Sequence, residues 1–277
     1  MDKIFKVGII GIGFVGNALA ESFYRHDIDV RTYDKCRECT DSLENLLHVD
    51  IMFLCLPTQY DYNSKSYDKS SIYDVCSYLS ENNFTGATIV KSTVEPGSTQ
   101  ELSNSFSNLN IIHNPEFLTA RTAQEDYHNQ KHIVLGKTMH CNDGAYSDII
   151  DFHALYYPWA HISKCTSLES ECVKIFANNF YSIKIQFFTE LFLLCGKINC
   201  NYDLIRTILI RNNWINPMHT VVPGPDGEIS YGGLCFPKDT SALLEFMKLH
   251  DTPCSILDAC ITERNTMRED HDNCIRA

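Results

Sequence analysis

The strongest constraint on this chain lies in its first sixteen residues. There Gly11, Gly13 and Gly16 form a Gly-x-Gly-x-x-Gly pattern between the strand-like KVGII and the helix-like FVGNALAESFYRH. The first glycine permits a tight turn out of the strand, the second lets backbone approach a pyrophosphate, and the third allows close helix packing. The phosphate then sits at the helix N-terminus, where unpaired N–H groups favour an anion. Alone, such a pattern is a weak signal, because glycines also make plain turns. Here the strand-turn-helix context is the required one, and Asp34 closes the next strand-like run at the spacing of a carboxylate bonded to a ribose hydroxyl. A carboxylate there repels the extra phosphate of NADP, so the expected cofactor is NAD, with Lys35 and Arg37 as the countervailing charges.

The rest of the first half repeats the alternation. KVGIIGIG, DIDVRTYD, VDIMFLCLPT, GATIVKSTV and NIIHNPEF read as strands, with helical patterns near 14–26, 70–82 and 98–106 between several of them. Continuous apolar runs such as IMFLCL suit strands covered on both faces. After HIVLG and a polar linker HCNDG the character changes. From about Ser167 to Lys197 there is no proline, and Gly196 is the only glycine, which predicts one long helix. Apolar residues at Val173, Ile175, Phe176, Phe180, Ile183, Phe187, Phe188, Leu191 and Leu194 recur at three- and four-residue steps and predict a broad buried face. A second helix is expected over 202–212, then a Pro/Gly-rich loop over 217–233 and closing helices. The expected fold is α/β: an N-terminal Rossmann-like doubly wound sheet over 1–160, followed by an all-helical domain with one long central helix over 161–277.

Charge narrows the partners. With 35 acidic against 23 basic residues the formal charge is −12, which offers nucleic acid no electrostatic footprint. No segment approaches the ~20 apolar residues of a membrane span, and the apolar stretch near the N-terminus is short, broken by glycines and without a small-residue cleavage site. Thirteen cysteines, an odd number scattered through apparent strands and helices, fit reduced thiols and a cytoplasmic setting. Cys36 and Cys39 stand close together, but no second pair or histidine lies at ligand spacing, so no metal is expected.

The sharpest segment is SYGGLCFPKDT, residues 230–240. Paired glycines let backbone pack against a ligand, Cys235 follows them, and the charged pair Lys238-Asp239 stands just beyond. A thiol near a cation shifts toward thiolate and becomes a nucleophile. Read from the residues alone, a small buried hydrophobe is the commoner role for such a cysteine.

Taken together and in order, GIGFVG, CLPT, KSTVEPGST, HNPEFL, ECVKIFANNF and GGLCFPKD resemble the signature of the UDP-glucose/GDP-mannose 6-dehydrogenase family, spanning roughly residues 7–240. The resemblance implies oxidation of the C6 hydroxymethyl of a nucleotide sugar to a carboxylate, most directly UDP-glucose to UDP-glucuronate, in two NAD-linked steps. It implies that Cys235 captures the intermediate aldehyde as a thiohemiacetal and then a thioester. Lys174 and Asn178, spaced i, i+4 on one helix face, would stabilise the oxyanion. Asp239 and Glu116 would move protons, and Thr93 would hold water or touch the cofactor. The cofactor contacts it implies are Gly11, Gly13, Phe14, Val15, Gly16, Asp34, Pro57, Thr58 and Thr93. The substrate contacts are Glu116, Phe117, Leu118, Lys174, Asn178, His219, Tyr231 and Gly232. From the residue alone, without the other motifs, Lys174 reads more readily as a solvated surface lysine, Thr93 also reads as an ordinary strand-end hydroxyl, and His219 equally as a loop-capping residue.

Three departures stand against the family pattern. Ala120, followed by Arg121, replaces a second glutamate after NPEFL. Trp214 occupies a position where many relatives carry arginine, and His219 is the expected substitute contact. Family members also continue into a second Rossmann-like domain that grips the nucleotide, whereas this chain stops at Ala277. The expectation is a substrate held by a dimer-related surface or a separate polypeptide, or one that differs in its carrier group. A homodimer through the long helix is expected. The competing readings are a non-catalytic NAD-binding or regulatory fragment and a β-hydroxyacid-type dehydrogenase that uses no thiol intermediate.

Overall fold

In the structure, a computed structural model that describes residues 4–37, 41–119 and 121–269, the chain forms two compact units. One comprises residues 1–58 with 67–174, the other 59–66 with 175–277. Cys39 and Ala120 lie outside the described residues.

The first half of the chain runs β1 (Lys6–Ile10), α1 (Phe14–Arg25), β2 (Asp29–Tyr33), β3 (Ile51–Leu54), the short strands β4 (Tyr60–Asp61) and β5 (Ser66–Tyr67), α2 (Ser70–Glu81), β6 (Ala87–Val90), α3 (Ser98–Ser105), β7 (Asn110–His113), α4 (Ala123–His128), β8 (His132–Lys137), α5 (Asp143–Tyr156) and β9 (His161–Thr166). Seven strands form one sheet in the order β2-β1-β3-β6-β7-β8-β9. Neighbours are parallel except β7 and β8. The expected doubly wound α/β architecture is borne out. The chain passes from β1 to β2 on one side and then to β3 on the other, so the strand order reverses beside β1. Open sheets of this kind bind ligands beyond the carboxyl ends of the strands at that reversal, and the glycine turn starts there.

The sequence of β3 shows why a continuous apolar run becomes a central strand. Side chains alternate across a sheet, so Ile51 and Phe53 enter the core that holds Phe23 and Phe152, while Met52 and Leu54 enter the opposite core with Ile72 and Leu79. Both faces are buried, and neither face tolerates a polar position.

Four local expectations need correcting. The segment read as a polar linker, HCNDG, is the capped start of α5: the Asn142 side chain accepts from the Ala145 amide at 2.8 Å. The sheet gains β9, whose residues are mostly exposed or half-buried, and such an edge strand carries no apolar run to announce it. The strand read as NIIHNPEF ends at His113, before Pro115, which has no N–H to donate to a ladder. The second helix of the later region is α7 (Tyr202–Leu209), ending earlier than residue 212, with Asn213 soon after in the left-handed region at φ 61°.

The long helix α6 spans Ser167–Lys197 as expected, but five of the nine apolar residues expected on its buried face are exposed. Ile175 and Phe188 are buried, whereas Val173, Phe176, Phe180, Phe187 and Leu194 are exposed, Phe180 at 62%. The buried face instead carries Ser170, Glu171, Lys174, Asn178, Ser182, Gln186 and Thr189, also at three- and four-residue steps. Apolar and polar residues both recur at helical spacing, so periodicity located the two stripes without saying which faced inward.

In the second unit the C-terminal part of α6 packs on α7 through Phe188, Cys195 and Tyr202, with Val222 from the following loop. Then come α8 (Phe236–Leu249) and α9 (Ser255–Met267). Arg264 on α9 is buried, donates from Nε to the Tyr231 carbonyl at 3.0 Å, and lies over the Tyr231 ring at 5.6 Å. It thereby braces the segment just before Cys235.

Candidate active site

Each glycine of the first turn has its own physical reason. Gly11 adopts φ +92°, and a Cβ there would lie 2.4 Å from the Cys55 carbonyl oxygen. A Cβ at Gly16 would lie 1.9 Å from the Gly11 carbonyl oxygen, so only glycine lets α1 start this close to β1. Gly13 is the opposite case, where an added Cβ would meet nothing within 4 Å: its backbone faces open space, as a cradle for a pyrophosphate requires. The turn borders a cleft of about 610 Å³ lined by Gly13, Phe14 and Asn17 together with Arg37 and Arg121. Arg121, the residue that follows the departure at Ala120, is therefore a cation beside the glycine turn.

Asp34 does more than its spacing suggested. Its Oδ2 accepts from the Ile12 amide at 2.7 Å and its Oδ1 from the Cys36 amide at 2.8 Å. The carboxylate thus fastens the end of β2 to the glycine turn, and its remaining lone pairs are what a ribose hydroxyl would use. These residues fit the adenosine and diphosphate portions of NAD.

Beyond the neighbouring strands, CLPT and KSTVEPGST are stitched together. The Ser92 hydroxyl donates to the Leu56 carbonyl at 2.6 Å, and the Thr58 hydroxyl donates to the Thr93 carbonyl at 2.8 Å. Thr58 is buried, Thr93 half-buried and Pro57 exposed. The loop after β7 places Glu116 against Lys174. Lys174 Nζ lies 3.0 Å from Glu116 Oε1, with 5% and 10% of the two side chains exposed. Glu116 Oε2 accepts from the Leu118 amide at 2.7 Å, and the exposed Phe117 ring sits 5.5 Å from the Lys174 ammonium. A solvated surface lysine is excluded at residue 174.

Sequence reasoning missed three buried groups around this pair. Glu171, one turn before Lys174, accepts from the Gly97 and Thr99 amides at 2.6 and 2.7 Å. It satisfies the N-terminus of α3, and burial pushes its carboxyl up to about 7. Ser170 bonds His113 Nδ1 at 2.8 Å. Lys91 is buried at the end of β6 and donates to Asn114 Oδ1 at 2.9 Å. The only sequence signal was that these polar residues share a face or a motif with residues already singled out.

In the second unit Asn178 Nδ2 donates to Asp239 Oδ2 at 2.6 Å, and Lys238 Nζ lies 2.6 Å from Asp239 Oδ1. Asn179 Nδ2 donates to the Asp239 carbonyl at 3.0 Å. Asp239 is fully buried, so its charge is matched by a cation and an amide. Cys235 is exposed and is the N-cap residue of α8, its carbonyl accepting from the Asp239 amide at 3.0 Å. His219, at φ 62°, lies with its ring 5.6 Å from Phe236, the residue after Cys235, and 4.9 Å from Tyr181. Burial, then Lys184, pushes its imidazole below the usual histidine range. Tyr231 is buried and within 3.5 Å of the Thr240 hydroxyl, while Gly232 is half-buried. Among the described residues no group of three or more His, Cys, Asp or Glu side chains is arranged to hold a metal ion. No described helix is long and apolar enough to cross a membrane.

Residues 30–152 match the NAD binding domain of the UDP-glucose/GDP-mannose dehydrogenase family, and residues 168–266 match its central domain. The chain is 30% identical to the UDP-glucose 6-dehydrogenase of Rhizobium meliloti over 234 residues, which cover 80% of this chain and 52% of that protein. It is 28% identical to the UDP-glucose 6-dehydrogenase of Campylobacter jejuni over 306 residues, covering 95% of this chain and 72% of that one. A solved UDP-glucose dehydrogenase from Pyrobaculum islandicum shares the fold with a TM-score of 0.84 at 21% identity, over 96% of this chain and 69% of that chain. The chain spans about half the length of the Rhizobium relative.

Proposed function

Since the chain belongs to the UDP-glucose/GDP-mannose dehydrogenase family, carrying its NAD-binding and central domains, we propose that it oxidises the C6 hydroxymethyl of a nucleotide sugar to a carboxylate. UDP-glucose, giving UDP-glucuronate, is the substrate we favour. The observations that carry the reading are the buried Lys174–Glu116 pair of the first unit and the buried Asn178–Asp239 pair of the second. Burying such groups is costly unless each is paired, and each unit keeps its own pair satisfied while holding a donor, amine or amide, of the kind that stabilises a developing oxyanion.

NAD supplies the hydride acceptor in both oxidations. The chain's own groups do the rest. Glu116 takes the proton of the C6 hydroxyl in the first step. The Cys235 sulfur then bonds to the aldehyde carbon, and the thiol proton passes to the former carbonyl oxygen through a nearby base. Loss of the second hydride with the hydroxyl proton leaves a thioester. Water, positioned by Asp239, adds to it, the carbon–sulfur bond breaks, and the sulfur recovers a proton. The two oxidations would require two equivalents of NAD per acid formed. The place of Cys235 at the start of α8 supports this role, because a helix N-terminus stabilises negative charge. Thr93, His219 and Gly232 are the further contacts we assign to water or substrate.

We also read the exposed stripe of α6 as the surface of a homodimer, and the cysteine usage as that of a cytoplasmic protein. The described cysteines form no disulfide. The test of the central proposal is the stoichiometry of NADH to acid with UDP-glucose, GDP-mannose and N-acetylated UDP-sugars, in wild type and Cys235→Ser. Two NADH per acid, with accumulation stalled in the serine variant, is expected. NAD binding without NADH from any of these sugars overturns it.

A further inference from the structure

Lys91 has no part in the steps above, and its setting does not suit a lysine kept for stability. It directly follows β6, is 2% exposed, and donates from Nζ to Asn114 Oδ1 at 2.9 Å and to the Pro115 carbonyl at 3.4 Å. No carboxylate among the described residues forms an ion pair with it. A buried ammonium without a paired carboxylate is costly, and groups held at such cost concentrate at functional sites. Both of its acceptors belong to the turn that delivers Glu116. Asn114 is itself locked, donating from Nδ2 to the Val134 carbonyl at 2.8 Å.

We propose that Lys91 is a positioning residue for Glu116: its ammonium fixes the Asn114–Pro115 turn and holds positive charge beside the Glu116–Lys174 pair. This rests on the roles proposed for Glu116 and Lys174. The titratable groups around Lys91 come from every packed element: Cys55 after β3, His113 on β7, Glu116 beyond it, Tyr127 on α4, His153 on α5 and Lys174 on α6. Burial pushes Cys55 up to about 12 and both histidines down to about 3, so none of these three changes charge near neutrality. Burial also pushes Lys91 down to about 8. Its charge is present at pH 7 and is lost as the pH rises through 8.

The experiment follows two readouts on the full chain, for wild type, Lys91→Met and Lys91→Arg. The first is kcat against pH with UDP-glucose and NAD. Wild type is expected to lose turnover with a midpoint near pH 8. Lys91→Arg, which keeps its charge, moves that limb upward by more than one pH unit, and Lys91→Met loses at least tenfold in kcat at pH 7 with the inflection gone, while NAD affinity changes less than threefold. The second readout needs no turnover: the ¹³Cε resonance of Lys174, assigned by loss in Lys174→Met, is followed from pH 7 to 9.5 in lysine-labelled protein. A step near pH 8 in wild type, shifted or absent in Lys91→Arg, supports the proposal. A Lys174 resonance indifferent to that range in wild type overturns it, even if Lys91→Met does not fold or no sugar is turned over. Wild-type kcat and an unchanged alkaline limb in a folded Lys91→Met also overturn it. Absence of turnover in wild type, with the Lys174 step present, counts against the proposed substrate and leaves the coupling established.

Discussion

A methyl added at Gly13 meets no atom within 4 Å, whereas one added at Gly16 falls 1.9 Å from the Gly11 carbonyl oxygen. The two glycines therefore separate binding from folding. Gly13→Ala should change stability by less than about 1 kcal/mol, as expected for a half-buried N-cap position with room for a methyl, and weaken NAD at least about tenfold, or roughly 1.4 kcal/mol. Gly16→Ala should cost about 1–3 kcal/mol or more through overpacking. Calorimetric NAD titration and thermal melts of both variants check this, and loss of stability in Gly13→Ala would contradict it. Glu171 gives a pH dependence with a definite sign. Its carboxyl titrates near 7 in the folded chain against an ordinary 4.5, because burial outweighs the Thr99 and Gly97 hydrogen bonds that pull the other way, with Glu101 adding to the rise. Between those values the folded chain binds more protons than the unfolded one, so stability falls as the pH rises from 4.5 through 7. The change is on the order of 3 kcal/mol. Glu171→Gln should flatten that part of the stability profile, measured by denaturant unfolding at a series of pH values. An unchanged slope would assign it to other groups.

Among the elements, α6 holds the most information and was the most misread. Its span was legible from the absence of proline between Ser167 and Lys197, with Gly196 near the end as the only glycine. Which stripe faces inward was not, because a buried polar stripe is stable only when partners meet it, and those partners come from distant chain segments: His113, the Gly97 and Thr99 amides, Glu116 and Asp239. The outward stripe places Val173, Phe180, Phe187 and Leu194 seven residues apart, the spacing that brings apolar side chains to one seam between paired helices. Such a continuous exposed apolar surface is characteristic of an interface. If the proposed dimer forms through this stripe, Phe180→Glu combined with Phe187→Glu should leave a folded monomer, read by light scattering with circular dichroism as the check on folding. A wild-type chain that is monomeric at micromolar concentration would remove the stripe from this role.

At the scale of the whole molecule, the amino-acid sequence by itself determined the class of fold and the cofactor. Those depend on local physics: glycines where a turn and a helix must approach backbone, alternation that buries both faces of a strand, and a carboxylate at a fixed distance along the chain. It also marked the candidates for the chemistry, through motifs whose members are close in sequence, such as Cys235 with Lys238 and Asp239. Tertiary structure alone decided how those residues are paired. Asp34 fastens the glycine turn, Lys174 is a buried partner of Glu116, Arg121 lines the cleft beside Gly13, and Lys91 and Glu171 are buried groups whose motifs had given them no role. The physical reason is that neighbouring residues set local geometry only. The free energy of a buried charge is set instead by whichever groups the fold brings within hydrogen-bonding distance.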